Sequence, residues 1–216
     1  MPPKEPIVTL VDVSTRVLPG REDHAPISGL SLSLYAGQIY ALVGSRGAGK
    51  SDFLRVLAGR LMPATGLLRY GALLGADNET RAHNIGYCAQ RPELAPDLSA
   101  RDHLELFATI AKLPDAERGE RIAQVVGKLG LSASLDAQIE TEPADVKQRL
   151  HVALSMLHGP LLWLLDEPFV GLGDAPQEML WRALGEHREH GGVSVLVCSD
   201  LARVERHADR VLALHR

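Results

Sequence analysis

Gly44-Ser45-Arg46-Gly47-Ala48-Gly49-Lys50-Ser51 fits the spacing G-x-x-x-x-G-K-[ST] of a phosphate-binding loop. Its flanks fit as well. Ile39 to Val43 is a short apolar run enriched in β-formers, and Phe53, Leu54, Leu57 and Leu61 follow at helical spacing. A strand, a tight glycine-rich turn and a helix N-terminus are the parts of a phosphate cradle. Glycine lets the backbone curl so that successive N–H groups point at an anion. The helix end adds partial positive charge. The loop is therefore expected to hold a nucleotide's phosphates, with Lys50 reaching the β- and γ-phosphates and the Ser51 hydroxyl on Mg2+.

At 216 residues the chain suits one mid-sized domain with an inserted subdomain, and 45% hydrophobic residues suffice for a full core. A formal net charge of −4 gives no electrostatic reason to expect a nucleic-acid partner. Cys88 and Cys198 lie far apart and form no metal-ligand spacing; reduced, buried thiols in a reducing compartment are expected. No apolar run approaches the ~20 residues of a membrane span. Met1 to Pro6 is polar and proline-rich, unlike a signal peptide. The expectation is a soluble, cytoplasmic chain; if it serves transport, another chain supplies the membrane path.

Ile7 to Val13 alternates as a half-buried strand does, and Leu30, Leu32 and Leu34 alternate with serines in a second. Leu18-Pro19-Gly20 is turn material and Arg21 to Ala25 a charged loop. Pro63-Ala64-Thr65-Gly66 is expected to break the helix after the loop, with a strand at Leu67 to Tyr70, loop from Ala76 to Asn84 and a short strand at Ile85 to Cys88. Three helices are expected next: Ser99 to Leu113, with Ser99 and Asp102 in the style of a capping box, then Ala116 to Leu129 and Lys147 to Leu157. Residues from about 91 to 154 thus read as a helical insertion in an α/β core. Leu161 to Leu165 is continuously apolar, as a central parallel strand is. A helix at Gln177 to His190, a buried strand at Val193 to Val197, a helix at Ala202 to Ala208 and a strand at Val211 to Leu214 complete the order.

A phosphate-loop NTPase needs a carboxylate at the tip of a neighbouring strand to hold Mg2+ through its waters. Asp166, after five apolar residues, is in that position, and Glu167 beside it could polarise an attacking water as general base. Taken alone, the pair is also what an ordinary solvated strand end looks like. With the phosphate loop, Gln90 after Tyr87-Cys88-Ala89, Lys147-Gln148-Arg149-Leu150, Leu161 to Pro168 and Ala208-Asp209-Arg210-Val211, the chain resembles an ATP-binding cassette (ABC) ATPase, the nucleotide-binding subunit of ABC transporters. The resemblance runs from about Ile7 to Leu214. Leu98 to Leu104 looks like the subset that powers exporters of drugs, polysaccharides or other cargo.

The resemblance implies an α/β phosphate-loop NTPase core of mostly parallel sheet, with an antiparallel β region and a helical subdomain. Residues 1–216 would form one ABC domain, about 1–90 plus 155–216 the core and about 91–154 the helical subdomain. It implies ATP and Mg2+ as cofactors. Gly44, Ser45, Arg46, Gly47, Ala48, Gly49, Lys50, Ser51, Asp52 and Gln90 would contact them, with Ser51, Gln90 and Asp166 around the metal and Glu167 as base. Two domains would close head to tail over two ATP molecules and drive an integral membrane permease at the inner face of the membrane, Gln90 sensing Mg2+ and touching that subunit. An apolar groove near Gln90 and the helical insertion would receive a short helix from the permease.

Several positions depart from the family. Its Leu-Ser-Gly-Gly-Gln signature is replaced by Glu142-Pro143-Ala144-Asp145-Val146. Pro143 has no N–H to donate, and at ~4 Å and an effective dielectric of about 20 each carboxylate facing a phosphate would cost about 4 kcal/mol before screening. Ser199 holds the place of the switch histidine, shorter and without a cation. Gly173 stands where an aspartate is expected, with Asp174 one residue late. Asp52 replaces a small hydroxyl residue; it either places a carboxylate by the α-phosphate or simply suits a first helical turn and swings out to solvent. Arg16, Val17 and Leu18 supply no adenine-stacking aromatic.

The reading is a degenerate nucleotide-binding subunit of an exporter, a poor ATPase alone, completed by a partner with an intact signature. A non-catalytic pseudo-ATPase is the alternative, as is a soluble ABC protein on ribosome or nucleic acid, which net charge and the lack of a basic run oppose. His151, His158, His187 and His190 are expected in surface or capping roles. Arg101, Arg118 and Arg121 read as solvated, and Trp163 and Trp181 as core.

Overall fold

The computed structural model describes residues 5–16 and 26–214. The turn at Leu18-Pro19-Gly20, the loop at Arg21 to Ala25, and Val17 and Leu18 of the adenine position lie outside the described residues. The chain opens with β1 (Val8–Ser14) and β2 (Leu30–Leu34), then β3 (Gln38–Gly44), which runs through the phosphate loop into α1 (Lys50–Leu57). β4 (Thr65–Tyr70), α2 (Asn78–His83) and β5 (Ile85–Cys88) follow, then α3 (Ala100–Ile110), α4 (Asp115–Lys128) and α5 (Ala144–Met156). β6 (Leu162–Asp166), α6 (Asp174–Glu189), β7 (Val193–Cys198), α7 (Leu201–Val204) and β8 (Arg210–Leu214) close the order.

Two sheets result. β2-β1-β4 is antiparallel and three-stranded, and β5-β6-β7-β3-β8 is parallel and five-stranded. The side-chain alternation of the parallel strands sorts the core into two layers. Ile39, Ala41, Val43, Trp163, Leu165, Leu196 and Cys198 pack with the apolar faces of α3 to α6. Tyr40, Leu42, Leu162, Leu164, Val193, Val195 and Val197 face the other way, onto Phe53, Leu54 and Leu57 of α1 and onto β1 and β2. β6, buried at every position, is the middle layer's spine. β5 approaches α5 so closely at Gly86 that a Cβ there would lie 2.2 Å from the Ser155 carbonyl oxygen. Among the described residues no helix is long and apolar enough to cross a membrane.

Several elements differ from the sequence reading. α1 ends at Leu57, before Pro63, because Gly59 adopts φ +68° and turns the chain out of the helix. Residues 78–83 form a helix where loop was expected; the Asp77 carboxylate caps it by accepting from the Thr80 N–H. α5 and α6 each begin three residues earlier than expected, and α7 stops at Val204. The Ser99–Asp102 capping box forms as expected.

The histidines also differ from expectation. His151 and His158 are partly buried beside α3 and β5, and His187 is held between Ser194 Oγ and the Pro160 carbonyl at 2.9 Å each. Burial lowers all three, His158 from 6.5 to about 4. A histidine kept neutral in the fold stabilises it fully above pH 6.5. As pH falls from 6.5 towards 4 the unfolded chain takes up a proton that the folded chain does not, so that stability is lost. For His158 the loss is on the order of 3 kcal/mol by linkage. Urea unfolding at pH 7 and pH 4.5 should show it, and His158→Gln should reduce the difference.

Candidate functional site

The phosphate loop bends on Gly47 and Gly49, at φ +78° and +76°, a region that a side chain disfavours. Gly49 is the residue before α1 and contributes no side-chain cap, so the first N–H groups of the helix open into the loop. The Lys50 ammonium donates to the carbonyls of Gly44 and Ser45 at 2.7 and 2.9 Å. The side chain is only 7% exposed, so its charge is held across the mouth of the loop in one place. Ser45 and Arg46 are exposed on the loop's rim, and Ala48 is packed beneath it.

β6 delivers Asp166 to the floor of this loop. Asp166 is 2% exposed; burial raises its carboxyl above the usual carboxylate range, while a hydrogen bond from Ser51 works the other way. Its Oδ1 is buried without a hydrogen-bond partner among the described residues. A buried carboxylate oxygen left open beside a hydroxyl suits a hard divalent cation. No cluster of three His, Cys, Asp or Glu side chains gathers at metal-binding spacing among the described residues, so such a cation would rely on Ser51, Asp166 and phosphate oxygens.

Glu167 follows at φ +50°, a backbone conformation that costs a non-glycine residue about 1 to 3 kcal/mol. The strand register explains how it is held. Asp166 pairs with Val197 across β6 and β7, and the Glu167 N–H donates to the Val197 carbonyl at 2.9 Å. Two residues on, Ser199 donates to the Glu167 carboxylate twice, from its N–H to Oε2 at 3.2 Å and from its hydroxyl to Oε1. Ser199 therefore touches the carboxylate, a contact the sequence reading missed. Gln90 is exposed two residues beyond β5, on the edge that carries Asp166 and Glu167 because Cys88 pairs with Leu165.

Asp52 is 4% exposed and does not swing out to solvent; its Oδ1 meets Arg55 Nη1 at 2.9 Å. Asp145, in the replaced signature, pairs with Arg149 at 3.0 Å, so less negative charge faces outward than the sequence reading assumed. Pro143 precedes the first turn of α5 and offers no side-chain cap. Inside α5, Gln148 donates to the Pro168 carbonyl at 3.1 Å and His151 Nε2 lies 3.0 Å from the Ala89 carbonyl. These two contacts tie α5 to the segments carrying Glu167 and Gln90. Asp174 is exposed in the first turn of α6.

A groove of about 1090 Å3 opens between β5, α1, α3 and α5, with Ala89 and Arg91 flanking the Gln90 position. Phe107, Ile110 and Leu154 line it, but so do Arg55, Arg60, Arg91 and Lys112. Glu79 and Glu93 line it too, and Lys112 pairs with Glu79, so the expected apolar groove is of mixed character, apolar residues interleaved with charges of both signs.

A family model described as ABC transporter matches residues 27–170, two thirds of the chain. The chain belongs to the ABC transporter family. Its ABC domain is 32% identical over 216 residues to the macrolide export ATP-binding/permease protein MacB of Bordetella avium, covering 97% of this chain and 33% of that protein. It is also 32% identical over 158 residues to the cholesterol transporter ABCA5 of Rattus norvegicus, covering 72% of this chain and 10% of that one. The chain thus spans between a tenth and a third of the length of these relatives. A solved ATP-binding subunit of an ABC transporter superposes with a TM-score of 0.84 at 26% identity, over 97% of this chain and 86% of that chain. ABC ATP-binding domains bind ATP, generally with Mg2+.

Proposed function

We propose that this ABC domain binds Mg-ATP and works as the energising subunit of an exporter, at the inner face of a membrane, beside a permease supplied by another chain or another part of its own. The observation that carries this reading is the Lys50 ammonium held by the Gly44 and Ser45 carbonyls of the glycine loop, close enough for its charge to act on Asp166 beside Ser51. Loop N–H groups and Lys50 would hold the phosphates, with Gly44 to Ser51 as the cradle. Ser51 and Asp166, with Gln90 at the edge, would hold Mg2+, which when bound neutralises phosphate charge. Glu167 would accept the proton of an attacking water, and Ser199 would hold its carboxylate in place. The groove beside Gln90 would seat the permease segment, with residues from about 91 to 154 as the helical subdomain.

The sequence at 142–146 sets the expected limit. A second copy closing head to tail would present Pro143, which has no N–H, and the Asp145 carboxylate to the phosphate, so a homodimer carries two poor sites and a partner with an intact signature completes one. Pro143→Ser, Ala144→Gly and Asp145→Gly together should raise ATP turnover of the purified chain at least tenfold, with a rate per chain that climbs with protein concentration. High turnover in the unmodified chain, or no gain in the substituted one, would contradict the partner requirement.

A further inference from the structure

The nucleotide reading leaves Asp52 unexplained: a carboxylate in the first turn of the helix whose N-terminus faces the phosphates. It follows Lys50 and Ser51 directly, and it is almost wholly buried. Burying a carboxylate is costly unless a cation or donors meet it. Arg55, one turn on, supplies that cation at 2.9 Å while its own side chain stays 31% exposed in the groove wall. Arg55 also lies close enough to Tyr87 and Asp166 for its charge to act on both. The guanidinium meets the Asp52 carboxylate from one turn further along the helix, on the side away from the loop.

We propose that Arg55 is a positioning residue for nucleotide binding: it holds and offsets the Asp52 charge, which would otherwise repel the triphosphate. The inference rests on the nucleotide reading above and adds to it a residue that offsets the aspartate charge at position 52. Like charges a few ångströms apart in a partly buried site interact strongly, and the interaction is screened by salt.

The test is a double-mutant cycle on the Kd for Mg-ATP, measured at low and at high salt. Arg55→Gln should weaken binding about tenfold at low salt and less at high salt. Arg55→Lys, which keeps the cation, should stay within about threefold of the unmodified chain. In an Asp52→Asn background, Arg55→Gln should change Kd less than twofold. An equal loss in both backgrounds, or no loss at low salt, would overturn the proposal. If Arg55→Gln fails to fold, Asp52→Asn alone decides: it should bind Mg-ATP at least as tightly as the unmodified chain, and weaker binding refutes the repulsion argument. The nucleotide reading fails separately, if the unmodified chain shows no binding that Lys50→Ala removes; that result overturns both.

Discussion

Lys50→Ala is expected to weaken Mg-ATP binding at least a hundredfold, about 2.7 kcal/mol. The ammonium is buried and already oriented by two loop carbonyls, so little ordering cost remains when phosphate oxygens approach. A charge-assisted contact in such a site is among the stronger single interactions a protein makes. Lys50→Arg should not rescue it, because a planar guanidinium cannot take the same point position between the Gly44 and Ser45 carbonyls. Calorimetric titration checks both variants. Binding within threefold of the unmodified chain would mean that the nucleotide, if bound, sits elsewhere.

The second large effect concerns stability. Trp163→Ala should cost about 4 kcal/mol of unfolding free energy. Trp163 is fully buried on β6, on the sheet face that packs against the helices. Its Nε1–H donates to Ser155 Oγ at 2.9 Å, and its ring meets the edge of His187 at 5.6 Å. Deletion leaves a cavity between α5 and β6, the strand that ends in Asp166. Urea unfolding measures the loss as a lower midpoint at unchanged slope. A change below 1 kcal/mol would contradict the packing described for the middle of the sheet.

The parts of the fold legible in the sequence are those with local causes. The glycine spacing of residues 44–51 and the apolar run at 161–165 each dictate their own element, and the Ser99–Asp102 box marks its own helix start. α2 escaped because its six residues, polar except for Ala82, carry no periodic apolar face; its one signal is Asp77 three residues before Thr80. The site was legible as a set of residue types, less so as contacts. Ser199 reaches Glu167 only because β6 and β7 are neighbours in register, and strand order is not written in either segment. Asp52 and Arg55 sit three apart and so invite pairing, yet burial of the carboxylate depends on the packing of α1 against the sheet. The histidines misled for the same reason. His158 and His83 come within 5.8 Å across separate segments, and the groove that surrounds them exists only once α3 and α5 lie against β5.

The measurement that bears most directly on the central claim is calorimetric titration of the unmodified chain with Mg-ATP. The account predicts one site per chain with a micromolar Kd, weakened when Mg2+ is withdrawn, because the open oxygen of Asp166 then loses its cation. Absence of binding at millimolar Mg-ATP would contradict it.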